Sequence, residues 1–272
     1  MFDSRYDWRR AVVITGFGLF LASCGMVPKW VDRSPDELPP RTPQATPNPV
    51  EDGGGGGELL PTIPQDFFHW NASRLPIEVY YDEGFSPTHV SELQVAVEIW
   101  NAVVGYTLIE MIATDDLVDH GSMEGIFTTL DDSRNSFLIH PDWDLTDKSS
   151  GTIASTVWRT PQGSYEIDQA DIIYNFSHFK YSGGSQGDNR PEVDLRTVSL
   201  HEIGHFLGLE HQLVEVDQDS IMTPTINVFT DGPEIKTLSI GDIVNIQAVY
   251  GCQGEVCDPE VAFERLQEIE SR

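Results

Sequence analysis

The segment HEIGHFLGLEH, residues 201–211, constrains the fold of this chain more than any other stretch. His201 and His205 are four residues apart, so on an α-helix they project from the same face, about one turn from each other. That separation is the reach that two imidazoles need to bind one zinc ion. The segment therefore predicts a helix with a metal site near its end.

A third histidine, His211, can reach the same metal only if the chain turns after the helix. Gly208 lies between His205 and His211, and glycine can adopt the left-handed backbone conformation that such a turn requires. Three protein ligands leave one coordination position for water and substrate, as in catalytic zinc sites. Glu202 follows the first ligand, and its carboxylate can take a proton from a zinc-bound water that attacks a carbonyl.

The same segment, followed by SIMTP at residues 220–224, resembles the long zinc motif and methionine turn of the metzincin metalloendopeptidases. The closest resemblance is to the matrixin-like family, since Pro224 stands where astacin-like and serralysin-like enzymes have a tyrosine. The resemblance covers about residues 75–251. It implies a zinc endopeptidase with His201, His205 and His211 as metal ligands, Glu202 as general base and Met222 as a hydrophobic floor below the metal.

Several features depart from the matrixin pattern. Gln212 follows the third histidine where matrixins usually have serine, and the stretch before the methionine turn is longer than usual. Residues 147–172 contain no histidine, whereas the family's structural zinc uses a histidine-rich loop there, so we expect one zinc only. Calcium could bind the acidic runs of residues 114–125, 130–133 and 141–147, but solvated loop charge is the simpler interpretation because no regular ligand spacing appears.

The first 23 residues predict export. Three arginines precede the apolar run AVVITGFGLFLAS of residues 11–23, which has the length of a signal-peptide core and is short for a transmembrane helix. Its end, Leu21-Ala22-Ser23-Cys24, resembles the lipobox of bacterial lipoproteins, which implies a lipid on Cys24. An ordinary signal peptide or an uncleaved anchor would also direct export. We expect a protein lipid-anchored to the cell envelope, at the outer membrane or cell surface, with its catalytic domain outside the cytoplasm.

Composition divides the chain into four parts. Residues 1–23 form the lipoprotein signal peptide, and the proline- and glycine-rich residues 24–66 form a flexible tether, because they carry too little apolar surface to offset the entropy of ordering. We expect a metzincin-like catalytic domain over residues 67–255 and a C-terminal tail, able to form a helix, over 256–272. The two cysteines of CQGEVC could pair in an oxidising compartment, a question that the sequence leaves open.

Periodicity and capping residues predict an α+β fold. Helices are predicted in SPTHVSELQVAVEIWNAVVG, PEVDLRTVSLHEIGHFLGL and SIGDIVNIQAVYG, and strands in LPIEVYYDEG, YTLIEMIA, NSFLIHP, GTIASTVWRT and ADIIYNF. The first helix begins at Pro87 after the cap Ser86, the second begins at Pro191, and the third has Ser239 as cap and Asp242 at the capping-box position. With the resemblance, these elements imply a metzincin-like fold: a mixed, mostly parallel twisted sheet, an early helix, an active-site helix, and a small C-terminal subdomain with the methionine turn and terminal helix.

Charge limits the partners of this chain. The formal net charge is −28, so a surface that neutralises phosphates is not expected, and nucleic acid is excluded as a partner. We expect a protein or peptide substrate, a membrane contact through the lipid on Cys24, and a monomer.

Three functions remain open. In the first, a zinc endopeptidase, an extended substrate lies against the edge strand GTIASTVWR by strand addition. Ile226, Val228 and Phe229 make the specificity loop apolar and favour a hydrophobic side chain after the scissile bond. The alternatives are a non-catalytic zinc-binding surface module, which has no need of a base at Glu202, and a zinc amidase that acts on cell-wall peptide.

Overall fold

The structure is a computed structural model, and it describes residues 67–113, 133–140, 142–146, 148–161, 163–182, 189–213, 215–224 and 237–270. The strands are β1 (His69–Trp70), β2 (Ile77–Tyr81), β3 (Ile109–Ile112), β4 (Ser136–His140), β5 (Ala154–Arg159), β6 (Glu166–Ile167), β7 (Gln169–Asn175), β8 (Lys180–Tyr181) and β9 (Glu192–Val193). The helices are α1 (Pro87–Val104), α2 (Leu195–Phe206), α3 (Ile240–Tyr250) and α4 (Pro259–Glu270).

The main sheet has five strands in the order β3-β2-β4-β7-β5. Neighbouring strands are parallel except for β5, which runs antiparallel to β7 at one edge. Strand β7 is buried along its whole length, as expected of a strand that is covered on both faces. The predicted α+β fold, with a mixed and mostly parallel sheet, is confirmed.

The first helix forms where its caps predict. Ser86 accepts a hydrogen bond from the His89 backbone N–H, Pro87 occupies the first helical position, and Gly105 ends the helix with a φ of 78°. Trp100 lies on the buried face of α1 and donates from Nε1 to the Leu200 carbonyl of α2 at 3.0 Å. Helices α1 and α2 therefore pack against each other over the sheet.

The active-site helix begins later than predicted. Asp194 caps it by accepting from the Thr197 N–H, and the first helical residue is Leu195, so the predicted start at Pro191 is wrong. The residues after Pro191 instead form strand β9, which pairs in parallel with β8. This pairing joins residues twelve positions apart, Lys180 with Glu192 and Tyr181 with Val193. It outweighs the local preference of proline for the start of a helix.

The C-terminal part contains α3, α4 and a disulfide. Ser239 and Asp242 form the predicted capping box of α3, and Cys252 is bonded to Cys257. The Gln247 side-chain amide donates to the Val103 and Val256 carbonyls at 2.7 Å each, which ties α3 to α1 and to the segment before α4. No helix within the described ranges has the length and apolarity needed to cross a membrane. The predicted signal peptide and tether, residues 1–66, lie outside those ranges.

Candidate metal centre

The three predicted ligands lie together at the end of α2. His201 and His205 project from adjacent turns of the helix, with their Nε2 atoms 3.0 Å apart. The chain then reverses at Gly208, whose φ is 93° and whose added Cβ would lie 2.0 Å from the Phe68 carbonyl oxygen, so that no larger residue fits there. This turn brings His211 back, and the ligand atoms of the three histidines all lie within 4.8 Å of one another.

Backbone carbonyls determine which nitrogen of two ligands carries the proton. His201 Nδ1 lies 2.7 Å from the Ile221 carbonyl oxygen, and His205 Nδ1 lies 2.7 Å from the Leu209 carbonyl oxygen. A carbonyl can only accept, so each Nδ1 must be the N–H donor and each Nε2 of a neutral ring carries a lone pair. The two Nε2 atoms therefore face each other as acceptors, an arrangement that a cation stabilises.

Burial favours the neutral form of His205 and His211. The pKa of His205 is held well below its usual value by burial, with further lowering by His201 and His211. Burial, assisted by His201, lowers the pKa of His211 to about 3. Neutral imidazole is the form that coordinates a metal ion, so protons compete weakly for these sites near neutral pH.

The donor set fits zinc. The Nε2 atom of His211 is buried and has no hydrogen-bond partner among the described residues, which is a costly state for a polar atom unless a ligand satisfies it. Three imidazole nitrogens that converge are a usual coordination set for a zinc ion with one open position. His201, His205 and His211 are therefore the residues that would hold the metal.

The predicted base lies next to this cluster in a buried setting. Glu202 is 4% exposed, and its Oε2 accepts a hydrogen bond of 2.6 Å from the Thr156 hydroxyl of β5. Burial raises the pKa of Glu202 to about 8, and the hydrogen bonds from Thr156 oppose that rise. A carboxyl with a pKa near neutrality can both take up and release a proton.

The methionine turn lies against the active-site helix. Met222 is 1% exposed, and its Sδ would lie 2.3 Å from a Cβ added at Gly204. The Met222 carbonyl also accepts from the Gln212 N–H at 2.9 Å, next to the third histidine. Met222 is thus a buried apolar side chain packed against α2 between His201 and His205. Its role as a hydrophobic floor below the metal stays a prediction.

Asp242 has a second role that the sequence did not indicate. Besides capping α3, its carboxylate accepts from the Ser220 hydroxyl at 2.5 Å and from the Ile221 N–H at 2.8 Å. The Ile221 carbonyl in turn accepts from His201 Nδ1. The carboxylate therefore holds the peptide that orients His201, one of the predicted ligands, through contacts between segments that sequence spacing does not relate.

Three other predicted features, the substrate-binding edge, the specificity loop and the acidic runs, differ in how much of each the structure describes. Strand β5, the predicted substrate-binding edge, ends the sheet, and α2 packs against it. The apolar residues of the specificity loop, Ile226, Val228 and Phe229, lie outside the described residues, as does most of the acidic sequence considered for calcium. Calcium binding stays a prediction.

The region that contains the three histidines resembles a known protein family. Residues 136–251 match the matrixin family. The chain is 30% identical over 155 residues to Metalloendoproteinase 4-MMP of Arabidopsis thaliana, covering 56% of this chain and 37% of that protein. It is 35% identical over 114 residues to Metalloendoproteinase 2-MMP of Arabidopsis thaliana, covering 41% of this chain and 27% of that protein. Macrophage metalloelastase of Rattus norvegicus is 33% identical over 118 residues, which are 43% of this chain and 22% of that protein.

The chain spans well under half the length of these relatives. Among solved structures, high choriolytic enzyme 1, a hatching-enzyme zinc-protease of Oryzias latipes, has a TM-score of 0.34 and 14% identity, covering 69% of this chain and 95% of that chain. That likeness is too distant for a conclusion. The matrixin match includes Glu202 and the three histidines, implies zinc as their metal and, with the metalloprotease relatives, supports a metzincin-like metalloprotease family for this chain.

Proposed function

We propose that this chain is a zinc endopeptidase in which His201, His205 and His211 hold the metal and Glu202 is the general base. The observation that carries the proposal is the convergence of three imidazoles next to a buried carboxyl with a raised pKa. The matrixin match and the metalloprotease relatives support the same reaction class.

Zinc, when bound, supplies Lewis acidity, which lowers the pKa of water and polarises a carbonyl oxygen. Glu202 then accepts a proton from the attacking water and later donates it to the leaving amine. The water oxygen becomes bonded to the carbonyl carbon, and the peptide C–N bond breaks. Burial suits Glu202 to this task, because a raised pKa favours its return of the proton.

We propose that the substrate lies along the outer edge of β5, which is the last strand of the sheet among the described residues. A peptide in extended conformation would pair there with the backbone of Ala154–Arg159, adding a strand to the sheet. The apolar specificity loop supports a preference for a hydrophobic side chain after the scissile bond.

We propose an exported, lipid-anchored and monomeric protein. The lipobox-like Leu21–Cys24 and the proline- and glycine-rich residues after it support a catalytic domain that is tethered to the cell envelope. The Cys252–Cys257 disulfide supports an oxidising compartment outside the cytoplasm.

The test compares cleavage of an unfolded protein by the 272-residue chain, by Glu202→Gln and by Glu210→Gln. Glu210 is an exposed glutamate next to His211 and serves as the matched control. Cleavage should stop on chelation, return with zinc, and fall by at least about 100-fold in Glu202→Gln at unchanged zinc content, because general-base catalysis is lost. The Glu210→Gln variant should cleave normally.

Two results would overturn the proposal. A chain that binds one zinc but cleaves no protein would favour the non-catalytic surface module. Cleavage of purified cell-wall peptide in the absence of protein cleavage would favour the amidase.

A further inference from the structure

A hydroxyl on the edge strand contacts the general base. Thr156 lies on β5 and is fully buried, and its Oγ1 lies 2.6 Å from Glu202 Oε2 and 3.0 Å from the Glu202 backbone oxygen. Forty-six residues separate the two positions in sequence. The contact exists because α2 packs across β5.

The direction of this hydrogen bond follows from the form of Glu202 that acts as a base. Both oxygens of an ionised carboxylate can only accept, so in that form the Thr156 hydroxyl is the donor to Glu202 Oε2. A separation of 2.6 Å falls in the range of charge-assisted O–H···O bonds. The other carboxylate oxygen, Oε1, makes no hydrogen bond to the residues that the structure describes. Among the described residues, Oε2 of Glu202 thus has a hydrogen-bond donor and Oε1 has none.

We propose that Thr156 is a positioning residue for peptide hydrolysis: it holds Glu202 by Oε2 and leaves Oε1 to accept the proton of the attacking water. The inference rests on the proposed function, since Thr156 would position the residue that we propose as general base. Thr156 acts through Glu202, and its side chain has no part in the bond changes.

Threonine is well suited to this role. Its β-branched side chain has few rotamers in a strand, and its second contact, to the Glu202 backbone oxygen at 3.0 Å, keeps the hydroxyl over the helix. A base whose orientation is set before substrate arrives loses less entropy on reaching the transition state. Without this hydroxyl, Glu202 would be a buried carboxylate with no side-chain partner among the described residues.

The first experiment compares Thr156→Val, Thr156→Ser and Ser136→Ala in the full chain. Valine keeps the shape but removes the hydroxyl, and serine restores it. Ser136 is a buried residue of β4, outside the proposed substrate-binding strand, whose hydroxyl has no hydrogen-bond partner among the described residues. Thr156→Val should lower kcat about 10- to 100-fold with little change in KM or zinc content, as for other residues that orient groups at a metal site. Thr156→Ser and Ser136→Ala should stay close to the wild type.

Two kinetic results would overturn the proposal. A wild-type kcat in Thr156→Val would show that the hydroxyl is not needed. A rise in KM at constant kcat would assign Thr156 to the substrate-binding strand and not to the base.

The second experiment does not depend on activity. The melting temperature of the chelated protein is measured for Thr156→Val, Glu202→Ala and the double variant. Thr156→Val should lower the melting temperature more when Glu202 is present than when it is replaced, because the two side chains are coupled. Additive shifts would overturn the proposal. Coupled shifts in a wild-type protein that cleaves nothing would refute the proposed function while supporting the positioning contact.

Discussion

At the scale of single residues, the candidate metal centre depends on Gly204, which lies between the predicted ligands His201 and His205. A Cβ at Gly204 would lie 2.3 Å from Met222 Sδ and 3.2 Å from Trp100 Cζ2, and both neighbours are buried. Gly204→Ala should therefore lower the free energy of unfolding by about 1–3 kcal/mol, as overpacked core substitutions do. Urea unfolding measures the change, and Gly151→Ala, where the nearest atom is 3.6 Å away, should leave it nearly unchanged. Equal losses in the two variants would contradict this packing.

At the scale of elements, the start of α3 supports the end of α2. Asp242 holds the Ser220–Ile221 turn, and the Ile221 carbonyl orients His201. Asp242→Ala should lower zinc affinity about 10-fold or more, because the ligand loses its orientation, and competition with a chelator measures this. Asp258→Ala, which removes an exposed hydrogen bond at the start of α4, is the control. Unchanged affinity in Asp242→Ala would show that the turn holds its position without the carboxylate.

The start of α1 should make stability depend on pH. Burial lowers the pKa of His89 from 6.5, and its Nδ1 accepts from the Ser86 N–H, which a protonated ring cannot do. The unfolded chain therefore binds this proton more readily than the folded chain, so the contribution to stability is present above about pH 6.5 and is lost as pH falls.

The matching measurement uses His89→Gln in the chelated protein. Glutamine can accept at the cap but does not titrate, so between about pH 8 and pH 5 its melting temperature should fall less than that of the wild type. The three histidines of the candidate site are present in both proteins, so any effect they have on the melting temperature cancels in the difference between the two curves. Parallel curves would contradict the assignment of the pH dependence to His89.

The same elements show what sequence alone could predict. Helices α1 and α3 were predicted with their caps, because Ser86, Gly105 and Ser239 act through hydrogen bonds to neighbouring residues. The start of α2 was not, because Glu192–Val193 pairs with a strand that precedes it by several residues. Capping residues therefore predict where these helices begin and end, except where residues next to a helix pair with a strand from another part of the chain.

At the scale of the whole molecule, the candidate site combines parts that sequence spacing relates and parts that it does not. The three histidines and Glu202 lie within one helix and the turn that follows it. The helical repeat of 3.6 residues per turn, together with a turn at Gly208, is therefore enough to predict that they lie close together. Thr156 comes from the edge strand and Asp242 from α3. Their contacts with the site depend on how α2 packs against the sheet and on how the Ser220–Ile221 turn meets α3, which no local pattern encodes.

We expect His201, His205 and His211 to hold one zinc ion and to leave one coordination position open. X-ray absorption at the zinc edge, on the chain loaded with one equivalent of zinc, measures this ligand set. The spectrum should show three imidazole nitrogens and one further light-atom ligand at about 2.0–2.1 Å, with one imidazole fewer in His211→Ala. Sulfur ligands at about 2.3 Å, or a coordination shell that His211→Ala does not change, would rule out this ligand set.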